Sequence, residues 1–222
     1  MPPSSRLQAL HSYDILHSAQ EPLFDDLAAL AAYIFSVPVA RIAFVADEEV
    51  WHKASTGMEA QQALPLAQSI CPQAVRHDLP VLVFPDLNAH PEHSTPAMRA
   101  ERVAFYAGAL LRTPQGQAIG TLCVADYVPR ELTDAEQQML VRLADLVVLA
   151  LDARRQLRAG AGNAAWEKLR GEAETELHNQ MALVRYLKVR SSGLVPVPAD
   201  LLEEVGRRLG EVIAIFKAAE QA

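Results

Sequence analysis

Cysteine is almost missing from this chain. Cys71 and Cys123 are the only two in 222 residues, too few for a disulfide framework. Long hydrophobic runs are missing too. The best candidate, LVVLALDA, is broken by Asp152 and falls far short of the ~20 residues that span a bilayer. The N-terminus, MPPSSRLQAL, has no basic segment leading into an apolar one, so no secretory leader is expected. Positive charge is scarce: 20 Lys and Arg against 27 Asp and Glu leave a formal charge of −7. That argues against a partner held by its phosphate backbone. Arg154, Arg155 and Arg158 form the densest basic group and read as the solvated face of a helix. Together these absences point to a cytoplasmic protein with neither nucleic acid nor membrane as partner.

What is present is apolar and ordered. Half the residues are hydrophobic, enough for a sizeable core. Arg6–His17 and Pro22–Phe35 read as helices, the second with Phe24, Leu27, Ala28, Ala31 and Ile34 at helical spacing. RIAFVAD (41–47) and VWHKAST (50–56) form a hairpin candidate. A short helix is expected over 67–77 and a strand over 81–86, followed by a polar loop with one helical turn. Two apolar strands then flank the turn in RVAFYAGALLRTPQGQAIGTLCVAD (102–126). Thr133 and Glu136 form a capping box opening a helix to about Arg158. AGAGN (159–163) breaks that helix, which sets the expected division into residues 1–158 and 159–222. Beyond it, Trp166, Leu169, Ala173, Leu177, Met181, Val184 and Leu187 make one apolar stripe. After a turn at SSGLVPVP, a second stripe runs from Leu202 through Val205, Leu209, Val212 and Phe216 to Ala219. Helices of this kind are marginal alone, so they must pack on each other, on a partner or on the first unit. A helical hairpin supporting a homodimer is the expectation.

The element order is that of an α+β fold with antiparallel pairing. ALHSYDIL, WHKASTG, SIC, FYAGALL and GTLCVAD, in this order over roughly residues 5–158, resemble the GAF domain of bacterial signal-transduction proteins. The resemblance implies a twisted antiparallel sheet flanked by helices, a small-molecule pocket on one face, and terminal helices that transmit a signal. It makes the chain a non-catalytic sensor, with a kinase or response regulator as a possible partner. The sequence names neither the ligand nor a cofactor. The loop HPEHSTPAMRAER departs from the pattern of many relatives, and Leu110 stands where many carry proline.

Candidate site residues follow from strand alternation. Thr121 and Cys123 share one face of their strand, opposite Leu122 and Val124. Phe105 and Tyr106 point to opposite faces, one to the core and one to the pocket. Tyr106, Phe105, Cys123, Thr121, Asp126 and His93 are the expected ligand-binding set. Asp126 and Arg112 lie at strand ends, where turn formation is the competing role. Cys123 has two roles to choose between, packing and thiol chemistry with Cys71 as in a thiol reductase; no basic residue adjoins it in sequence. His90 and His93 flank Glu92 at metal-compatible spacing, but nothing completes a coordination set, so no metal is expected. Trp51 and Lys53 share a face, and Trp51 is expected to cover the sheet. His178, in ETELHNQMALVRYL, loosely resembles the phosphoacceptor of sensor histidine kinases. It lacks the Arg and Asn that usually follow, and phosphate would have to come from another protein.

Overall fold

The computed structural model describes residues 4–57, 62–190 and 197–220. Among them α1 (Ser5–Ser12) and α2 (Pro22–Phe35) lead into β1 (Val39–Val45), β2 (Glu49–Thr56) and β3 (Ala63–Pro65). A 3-10 turn (Leu66–Gln68) precedes α3 (Cys71–His77), β4 (Val81–Phe84) and α4 (Pro96–Ala100). Then come β5 (Phe105–Arg112), β6 (Ala118–Asp126) and three long helices, α5 (Asp134–Gly160), α6 (Asn163–Arg190) and α7 (Ala199–Glu220). The strands make one sheet in the order β3-β2-β1-β6-β5-β4, antiparallel at every pairing. The expected α+β architecture is therefore present.

Local chemistry sets most boundaries. Pro22 opens α2, and Ser36 closes it in the left-handed region at φ 53°. Asp14 and His17 also have positive φ, which ends α1 at Ser12 instead of carrying it to His17. The expected helix over 67–77 is split, since Pro72 sits in the first turn of α3 and Ser69 is extended. Thr133 and Glu136 close both bonds of the capping box on α5. Gly162, at φ +87°, and Ala161 both donate their N–H to the Leu157 carbonyl, which stops that helix.

Helices α2 and α5 cover one face of the sheet, α6 packs on α2, and α7 packs on α5 and α6. One continuous core runs from Leu10 through Phe44, Phe105 and Leu143 to Trp166, Val205 and Phe216. The two C-terminal stripes are thus covered within the chain. The side chains of Leu187 and Ala219, and most of the SSGLVPVP turn, lie outside the described residues.

Two buried carboxylates stitch the C-terminal helices to the rest. Glu21 accepts from Lys53 Nζ, Arg154 Nε and Trp166 Nε1, each at 2.9 Å. Lys53 reaches it because strand alternation puts it on the helix side with Trp51; β2 carries one residue more than β1 between Ala54 and His52, a bulge that keeps Ala54 on that side as well. Burial alone would raise the Glu21 carboxyl, but the Lys53 bond and charge, then Arg154 and Trp166, hold it below its ordinary range. Glu136, fully buried, pairs with Arg130 Nη2 at 2.8 Å and accepts from the Val197 N–H at 3.1 Å, just before α7. Arg154 is 3% exposed, so the basic cluster is not a solvated face. Of the three only Arg158 is exposed; Arg155 lies over the Tyr13 ring and pairs with Asp152.

Candidate functional site

The face of the sheet turned away from α2 and α5 carries Val39, Arg41, Tyr106, Cys123 and Ala125, which share a face by register. They floor a cavity of about 540 Å³. The 3-10 turn and the start of α3 (Gln68 to Cys71) form one wall, and α4 (Ala97, Met98) with Glu101 forms another. His52 of β2 completes the floor. Most of this lining is apolar, and a few polar groups converge on it, as in a small-molecule site.

Two pieces of chain geometry shape the floor. Tyr106 lies over Gly108, whose added Cβ would stand 2.4 Å from the tyrosine hydroxyl. With the ring lowered across that glycine, the hydroxyl comes within 3.7 Å of Cys71 Sγ. Gly108 is also the register partner of Cys123, so the tyrosine and both thiols meet at one spot. Across the other edge of β6, Arg41 is the register partner of Cys123. Its Nε donates to Ser55 Oγ at 3.1 Å. Among the described residues no carboxylate forms an ion pair with Arg41, although it lines the cavity.

The thiols are electrically unequal. A hydrogen bond from Cys123 holds the Cys71 thiol well below the ordinary range against the opposing effect of burial; Thr121, Ser69 and His52 add to it. The same bond, burial and the Cys71 charge push Cys123 well up, with Arg41 opposing. Burial, then the two thiols, also raises the Tyr106 hydroxyl.

The expected site residues divide into two groups. Tyr106 and Cys123 line the cavity, and Thr121 lies buried beneath it on the same strand face. Phe105 faces the helices and belongs to the main core. This corrects the expectation, and the reason is simple alternation: with Tyr106 on the cavity side, its neighbour must point away. His93 stacks on Phe84 at 4.6 Å, beside the cavity and outside its lining. The Asp126 carboxylate accepts the Tyr127 N–H at 2.7 Å and the Val128 N–H at 3.4 Å, which makes it a turn former. His178, 63% exposed, has Nε2 3.1 Å from Asp26 Oδ2 on α2, far from the cavity lining. Trp51 and Lys53 both face the helices, Trp51 against the His17 ring. Arg41, His52, Ser69 and Glu101 were not anticipated. Arg41 had a usable signal: it is the lone charge in an apolar strand, one position from Ile42 and therefore on the opposite face.

Comparison with known proteins is consistent with this geometry. The GAF domain family model matches residues 15–151, more than half of the chain. A cyclic di-GMP phosphodiesterase of Pseudomonas aeruginosa is 28% identical over 202 residues, covering 89% of this chain and 32% of that protein; the chain thus spans about a third of this relative's length. The free methionine-R-sulfoxide reductase of Neisseria meningitidis, solved with its substrate, superposes with a TM-score of 0.52 at 17% identity, over 70% of this chain and 96% of that one. A domain of a two-component sensor histidine kinase from Sinorhizobium meliloti gives 0.51 at 14% identity, over 66% and 99%. At these identities the solved structures bear on the fold alone. Among the described residues, no helix is long and apolar enough to cross a membrane.

Proposed function

Because the chain belongs to the GAF domain family, we propose that it is a regulatory module whose cavity takes a small anionic molecule, with Arg41 as the anchor. The observation that carries this is Arg41 itself: a guanidinium, fixed by Ser55, aimed into a largely apolar cavity with His52 beside it. A guanidinium in such surroundings favours a carboxylate or phosphate that binds its fork. The cavity volume suits a metabolite-sized guest. Residues 1–158 would sense, and residues 159–222 would carry the response. The cavity wall and the C-terminal helices are joined through the sheet, whose β2 brings both His52 to the cavity and Lys53 to the Glu21 node. A guest that prefers one sheet geometry then shifts the helix arrangement by its differential affinity. Self-association through the C-terminal helices, and use within a two-component pathway, are finer parts of the same proposal.

The test is thermal denaturation of the full chain against a panel of small carboxylates and phosphate monoesters, wild type beside Arg41→Gln. At least one anion should raise the wild-type midpoint and leave the variant unmoved. If no anion distinguishes the two proteins, Arg41 is not an anchor. A native mass spectrum of the purified protein shows whether a guest travels with it.

A second reading, phosphate relay through His178, is favoured by one observation: an exposed imidazole beside a carboxylate, that of Asp26. Incubation with phosphorylated receiver domains, wild type against His178→Ala, decides it.

A further inference from the structure

The two cysteines come from different layers of the molecule, α3 and β6, yet both open into the same cavity. They are the only cysteines in the sequence, and both are free thiols. A cysteine used for packing needs no polar company. Here the Tyr106 hydroxyl lies 3.7 Å from Cys71 Sγ, held there by its passage over Gly108, the register partner of Cys123. Arg41 stands on the other side of Cys123. The thiols are otherwise buried, at 3% and 7% exposure, so a reagent must come through the cavity and must be small.

We propose that Cys71 and Cys123 form a reactive dithiol site within the cavity, which takes a hydroperoxide as its substrate and closes to a disulfide joining α3 to β6. The Cys71 thiolate attacks one oxygen of the peroxide O–O bond. That bond breaks, the leaving oxygen takes a proton and departs as water from hydrogen peroxide or as an alcohol from an alkyl hydroperoxide, and Cys71 becomes a sulfenic acid. The Cys123 sulfur then attacks Cys71 Sγ, the S–O bond breaks, and hydroxide leaves as water with the Cys123 proton. In sum, two thiols and one hydrogen peroxide give one disulfide and two waters; sulfur loses two electrons and oxygen gains them. Cys71 is the attacking partner: the Tyr106 hydroxyl reaches its sulfur at 3.7 Å, and its thiol is held below the ordinary range, which favours the nucleophilic thiolate. The bond would fix the wall formed by Ser69, Ile70 and Cys71 against the floor, so oxidation changes the shape of the space a guest meets. This goes beyond the anion reading and does not depend on it.

The experiment oxidises the reduced full chain with hydrogen peroxide and follows intact mass, peptide mapping and maleimide labelling. The expected product has lost the mass of two hydrogens, carries a Cys71–Cys123 cross-linked peptide, and returns to two thiols with dithiothreitol. The folded protein should form it on the order of tenfold or more faster than the urea-unfolded chain, because the fold holds the thiols together. Cys123→Ser should stop at a dimedone-reactive sulfenic acid on Cys71. Uptake of oxygen without a cross-link would overturn the proposal, as would thiols that persist in the folded wild type while free glutathione is oxidised. The wild-type result decides alone if a variant does not fold.

Discussion

On the helical face of the sheet, the buried charges Glu21, Lys53, Arg154, Arg130, Glu136 and Asp152 each have a counter-ion within reach. On the cavity face Arg41 leans on a serine hydroxyl, the Tyr106 hydroxyl meets the Cys71 thiol, and Cys123 lines the same hollow. The same six strands carry both. The first face contains the large continuous core, and the second contains smaller clusters around a hollow. Stability and responsiveness are therefore separated by the two-residue period of a β-strand. Arg41 is half-buried and, among the described residues, has no carboxylate partner; a charge drawn partly out of water is costly to leave unpaired, and under the proposed function a bound anion supplies the missing charge.

Changes on the helical face should hurt stability most. Glu21→Ala strands Lys53 and Arg154 in the core, and the loss in urea unfolding should be ~3–5 kcal/mol. A smaller loss would mean that the node is wet. The same carboxyl sets a pH dependence. Its folded value lies below its unfolded one, so its contribution is complete above the unfolded value. It then fades as pH falls below the ordinary carboxylate range and through the folded value. Stability curves of wild type and Glu21→Gln should converge on acidification; parallel curves would remove Glu21 from the account.

The next effect contrasts two glycines. A Cβ on Gly120 would stand 2.1 Å from the Ala43 carbonyl oxygen, and one on Gly108 would meet the far end of the Tyr106 side chain. Backbone cannot step aside, whereas a tyrosine facing a cavity can. Gly120→Ala should cost ~3 kcal/mol and Gly108→Ala about 1, with the second also changing thiol reactivity. Equal costs would show that the cavity floor is as rigid as the sheet. Tyr106→Phe removes the hydroxyl contact to Cys71 and should cost roughly 1 kcal/mol or less. At the far end of the range, His178→Ala should cost ~1 kcal/mol or less, because the imidazole is 63% exposed although the Asp26 carboxylate it meets is mostly covered.

The sequence was most legible where structure is local. The capping box at Thr133, the break after Gly160, the α2 stripe and the strands on either side of the turn at Gly116 are all written within a few residues. It was least legible where partners are distant. Arg154 looked solvated because Glu21, which buries it, lies 133 positions away. Cys123 looked free of basic neighbours because Arg41 adjoins it across strands, through a β1–β6 register that no short motif encodes. Phe105 and Tyr106 were correctly separated by alternation, yet alternation alone does not say which face holds the core. Lys53 shares the helix-facing side with Trp51 as alternation requires, whereas the bulge beside it and the three-residue β3 leave no periodic signal in the sequence.

The separation of the two faces is tested most directly by the unfolding free energy of Arg41→Leu in the absence of added anion. A side chain retained for a ligand, and not for the fold, should be replaceable at no loss, so the variant should match or exceed the wild type. A deficit approaching that of Glu21→Ala would contradict the account, because Arg41 would then be part of the framework.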